Sequence, residues 1–68
     1  MTINIKDNIP ANIALVAVLS VVNAAESDDE GNLVYPKLTA VPVRGATIMV
    51  KTEPNRKSDC FKVWIKRK

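Results

Sequence analysis

From Pro10 to Ala25 the chain carries no charge, and its only polar side chains are Asn12, Ser20 and Asn23. This run constrains the fold more than any other segment. Alanines at 11, 14, 17, 24 and 25 favour a helix, whereas Val16, Val18, Val21 and Val22 lean toward strand. Length decides for helix, because buried strands seldom run so far. A helix is therefore predicted over residues 10–25, with Pro10 in the first turn and Asp7 or Asn8 placed to cap it. At about 100° per residue, Ala14, Ala17, Val21 and Ala24 form a stripe of small side chains. Leu15, Val18, Leu19 and Val22 form a second, bulkier stripe. A single sheet covers only one side of such a helix, and 68 residues leave little material for the other. The bulky stripe Leu15, Val18, Leu19 and Val22 is expected to be an oligomer interface, giving a homodimer. Loops of the same chain are the alternative cover. The run is too short and too interrupted to span a bilayer, and Asp7 and Pro10 ahead of it make a poor leader, so no membrane is expected.

The flanking segments alternate with period two. Ile3 and Ile5, set against Thr2, Asn4 and Lys6, predict a strand over residues 2–6. Residues 26–32 are an acidic, turn-forming loop. Carboxylates at a helix C-terminus oppose its dipole, so this loop is not there to stabilise the helix. Residues 33–43 read as one extended stretch that Pro36 and Pro42 mark as an edge strand or as broken in two. Arg44-Gly45 suits a tight turn. Residues 46–52 and 60–66 alternate on either side of a polar loop and predict a C-terminal hairpin. The expected order is β-α-β-β-β. That is a single α+β domain over residues 1–68, with one helix packed on an antiparallel sheet.

Composition removes most chemistry. Cys60 is the only cysteine and histidine is absent, so an internal disulfide and a Cys/His metal site are ruled out, and a cysteine hydrolase would lack its histidine base. With only Gly31 and Gly45 there is no glycine-rich phosphate loop. Asp28, Asp29 and Glu30 are adjacent in a loop, which is not a catalytic geometry. No enzyme activity, cofactor or metal is expected. The lone cysteine suits a reducing compartment, hence the cytoplasm.

Charge is divided unevenly. Residues 1–30 hold one base against five acids, a net −4, and residues 31–68 hold nine bases against two acids, a net +7. If Phe61, Val63 and Ile65 face the helix, then Lys62, Trp64 and Lys66 face outward, with Thr47, Met49 and Lys51 beside them. Arg56 and Lys57 sit in the connecting loop as a potential anion-binding tip. Lys51, Arg56, Lys57, Lys62, Trp64 and Lys66 are thus the expected partner-binding residues. The reading is a small non-catalytic interaction module, a homodimeric regulator or inhibitor that docks on a larger protein. Phages and mobile elements often encode proteins of this size and kind. A nucleic-acid-binding module using the basic sheet face is the alternative, since lysines neutralise phosphates and an aromatic ring stacks bases. A structural subunit of a larger assembly is a third.

Overall fold

The computed structural model describes residues 2–53 and 60–67. Its elements are β1 (Thr2–Ile5), α1 (Ala11–Asn23), β2 (Glu26–Ser27), β3 (Leu33–Val34), β4 (Leu38–Val43), β5 (Ala46–Glu53) and β6 (Cys60–Ile65). Four strands form one sheet in the order β1-β6-β5-β4, and β2 pairs with β3 in a small separate hairpin. The fold is a single small α+β domain, one helix on one sheet.

The expected C-terminal hairpin is present, with Ile48, Val50, Phe61, Val63 and Ile65 sharing one face as expected. Val50 pairs with Val63, Ile48 with Ile65 and Thr52 with Phe61. This face is buried, and Phe61, Ile48, Val50 and Val63 are its largest enclosed side chains. Tyr35 closes one end of the core, its ring edge-on to Phe61 with centroids 5.7 Å apart. At such a separation an aromatic pair adds to the burial of its area.

The stretch 33–43 is both broken and at an edge. Pro36 and Lys37 lie between β3 and β4, and β4 pairs only with β5. The Thr52 amide donates to the Lys37 carbonyl at 3.0 Å. By the two-residue period, the backbone groups of Thr39, Val41 and Val43 then also face β5. Pro42 turns the other way, so its missing N–H falls on the open edge and blunts it. Arg44 (φ 50°) and Gly45 (φ 82°) make the turn to β5. Two successive positive φ values match the twist of the strands they join.

One element of the sheet departs from expectation. The sheet is mixed, because β1 runs parallel to β6, from Thr2 opposite Cys60 to Ile5 opposite Val63. The helix carries the chain from β1 to the far edge, and the β4-β5-β6 meander brings it back. Asp7 secures the junction. Its Oδ2 accepts the Ile65 N–H at 2.9 Å, in the place the next residue of β1 would fill, and its Oδ1 lies 3.5 Å from Arg67. Asp7 is therefore committed to β6 rather than to capping the helix, whose N-cap residue Pro10 provides no side-chain bond.

The helix spans 11–23 rather than 10–25, and it lies over β4, β5 and β6, with β1 outside its principal contacts. Ala14, Ala17, Val18 and Val21 face the sheet and are buried. Val18 was expected on the outer stripe, but it is fully enclosed. It lies within 60° of Val21 around the helix axis, so the sheet that takes one takes both. Val22 is half-buried against the same core. The outward side is held by Leu15, Val16 and Leu19, at 44%, 49% and 44% exposure.

The acidic loop is the tip of the β2–β3 hairpin. Asp28 Oδ1 accepts the N–H groups of Glu30 (2.9 Å) and Asn32 (2.8 Å), and Gly31 adopts a φ of 83°. These bonds explain the turn through local backbone satisfaction.

Two substitutions test this packing by urea denaturation followed through Trp64 fluorescence. Asp7→Ala removes the acceptor that fixes β1 to β6 and should cost about 2 kcal/mol. Thr52 is buried and its hydroxyl has no hydrogen-bond partner among the described residues. Thr52→Val should therefore raise stability by about 1 kcal/mol, and a loss of that size would show that the hydroxyl is satisfied in solution.

Candidate functional site

The sheet face turned away from the helix is laid out by strand register. Trp64 on β6 stands opposite Met49 on β5, and Lys62 stands opposite Lys51. On the flanks, Asn4 of β1 lies beside Lys62, and Ala40 and Leu38 of β4 lie beside Met49 and Lys51. Leu38 is exposed, while Met49 and Trp64 are half-buried.

Lys6, Asp7, Lys51, Lys62, Trp64, Ile65, Lys66 and Arg67 line one open cleft of about 680 Å³. Four residues expected to bind a partner, Lys51, Lys62, Trp64 and Lys66, are thereby brought together. Arg56 and Lys57 lie outside the described residues. Lys6 and Arg67 complete the cleft and were missed in the sequence because they enter it only through the β1–β6 pairing. Lys6 does share the parity of Asn4, and this alone would place it on the outer face once β1 is set beside β6.

The cleft is cationic but not uniformly so. Lysines set directly across a strand pair repel, so Lys51 and Lys62 cannot both point inward at no cost. Glu53 relieves this by drawing the Lys62 ammonium to 2.8 Å, and Asp7 holds Arg67. Lys6, Lys51 and Lys66 have no ion-pair partner among the described residues. Three ammonium groups without an ion-pair partner among the described residues share the cleft with the Trp64 indole and favour anions there, and Met49 lies beside Trp64 on the adjoining strand. Its side chains offer no nucleophile–base pair, and no cluster of three or more metal-ligating residues occurs among the described residues. No described helix is long and apolar enough to cross a membrane.

The outer helix face is the second surface. Of the expected interface residues, Leu15 and Leu19 are exposed there, Val18 and Val22 turn inward, and Val16 takes the vacated place. Compared with protein-family models, with curated proteins and with solved structures, the chain matches none of them.

Trp64 is the only tryptophan, so its fluorescence reports on the cleft directly. At low ionic strength the ratio of iodide to caesium quenching should exceed that of free N-acetyltryptophanamide by roughly twofold or more, because the lysines concentrate anions within a Debye length. Replacing Lys6, Lys51 and Lys66 together by glutamine should bring the ratio down toward the free reference. A ratio in the unmodified protein no higher than that of the free reference would mean that the cleft carries no net positive field.

Proposed function

We propose that the chain is a non-catalytic interaction module that docks the basic face of its sheet on an acidic surface of a larger protein. The observation that carries this reading is the grouping of Trp64 and Met49 on one open sheet face with Lys6, Lys51 and Lys66, which have no ion-pair partner among the described residues. Tryptophan and methionine are enriched in the cores of protein interfaces, and lysines at the rim steer an acidic partner. Exposed Leu38 and the Ala40 position widen the apolar part of the face toward β4. By occupying an acidic surface, such a module regulates or inhibits the protein that owns it. The lone Cys60 suits work in a reducing compartment such as the cytoplasm.

Nucleic acid is the second reading, favoured by the indole lying among cations. Against it, sheet platforms for single strands usually display two or three aromatic rings, and Asp7 and Glu53 place carboxylates where phosphates would run. Salt titration separates the two. The protein should hold labelled polyglutamate at low salt, and Lys51→Glu with Lys66→Glu should abolish that binding. If a labelled single-stranded oligonucleotide binds more tightly, with a steep salt dependence blunted by Trp64→Ala and Lys62→Ala, the nucleic-acid reading replaces the first.

Two copies associate, in this reading, through the outer face of α1. No charged residue occurs between Ala11 and Asn23, and Leu15, Val16 and Leu19 stand together on its exposed side. A surface helix without charge is unusual unless another apolar surface covers it. Sedimentation should give a dimer at tens of micromolar, converted to monomer by Leu15→Lys with Leu19→Lys. A monomer in the unmodified protein at that concentration removes self-association from the proposal.

A further inference from the structure

Strand β1 is unfinished in three respects. First, its outer edge is open. The Lys6 N–H donates to the Val63 carbonyl at 3.0 Å, so the backbone groups of Thr2, Asn4 and Lys6 turn toward β6. Those of Ile3 and Ile5 turn outward, with no strand beyond them among the described residues. Unlike β4, this edge has no proline, and Thr2–Ile5 carries no charge to repel a neighbour. Second, β1 lies beyond the helix's principal contacts, so Ile5, on the helix side of the sheet, remains 40% exposed. Third, the cationic cleft begins at the same strand, where Lys6 lines it together with Lys62 and Lys66.

We propose that β1 receives a fifth strand from the partner: an extended segment in which acidic residues alternate with apolar ones. Its backbone bonds the outward N–H and C=O groups of Ile3 and Ile5. Its apolar side chains settle beside those two isoleucines on the helix side. Its acidic side chains, on the opposite face, meet Lys6 and the lysines behind it. Strand addition draws affinity from main-chain bonds and specificity from alternate side chains, and β1 offers both. The inference rests on the docking reading above and adds the mode of contact and the chemistry of the docked segment. A second copy of this chain fits less well. Its acidic run Asp28-Asp29-Glu30 has no apolar residue between the acids, and β1 placed against β1 brings no carboxylate to Lys6.

The test uses the full chain and fluorescein-labelled peptides of alternating valine and glutamate, read by anisotropy at low salt. One peptide is unmodified. Two are N-methylated on alternate residues, each set blocking one edge, and one has the same composition in separate valine and glutamate blocks. The unmodified peptide should bind, and only one methylated set should weaken binding, by on the order of tenfold. Amide exchange at Ile3 and Ile5 should slow on binding. Equal affinity for all four peptides overturns strand addition while leaving the docking face intact. Failure of these peptides and of polyglutamate to bind overturns both. Amides of Ile3 and Ile5 that are already protected in a dimer before peptide is added would assign the edge to a second copy and sink the proposal.

Discussion

A helix about 10 Å across cannot roof four strands spaced about 4.8 Å apart. The half-covered edge at β1 follows from that mismatch. The helix sits over β4, β5 and β6, where the alanines at 14 and 17 let its backbone approach and Val18 and Val21 interleave with Ile48, Val50 and Val63. The buried core lies at that contact, with Ile9 added from the segment ahead of the helix and Tyr35 packed at its margin. Outside it lie β1 with its half-covered isoleucines, the far side of the helix, and the whole opposite face of the sheet. Longer chains cover such faces with a second layer, and a chain this small does not have one.

The parts of the fold that were legible in the sequence are those governed by local period. Alternation in residues 46–52 and 60–66 fixed which side chains face the core, and so put Trp64 and the lysines outward. Pro36 and Pro42 carried their usual meaning, one as a break and one on an open edge. The parallel pairing of β1 with β6 was not legible, because two strands far apart in sequence carry no local mark of their partnership. The cleft was half legible for the same reason: Lys51, Lys62, Trp64 and Lys66 follow from the hairpin alone, whereas Lys6, Asp7 and Arg67 need β1 in place. The helix turns Val18 and Val22 inward, against the outer stripe expected from the sequence. Valines and leucines occur all round it, so the apolar pattern sets no direction, and only the position of the sheet decides which of them are enclosed.

The uneven charge of the two halves of the chain becomes a spatial separation in the fold. Asp28, Asp29 and Glu30 are gathered at the tip of the β2–β3 hairpin, tied by backbone bonds to Asp28. Bases of the sheet converge on one face, and among the described residues Asp7 and Glu53 are the acids that pair with them, each against a particular cation. These two acids limit repulsion among the lysines without cancelling the field. The face thus stays attractive to anions while the sheet beneath it tolerates Lys51 opposite Lys62.

The position of β6 has a kinetic consequence. It is the last of the described strands in sequence, yet it lies between β1 and β5 and, among the described residues, is the strand that pairs with the N-terminal one. The helix and the β4–β5 hairpin can form early from nearby contacts, but the closure between Thr2 and Cys60 spans most of the chain, and such distant pairings form slowly. During synthesis, the growing chain would therefore leave the edges of β1 and β5 that receive β6 unpaired until β6 leaves the ribosome. For that interval Ile3 lacks Phe61 and Val50 lacks Val63, and two open strand edges are available to other chains.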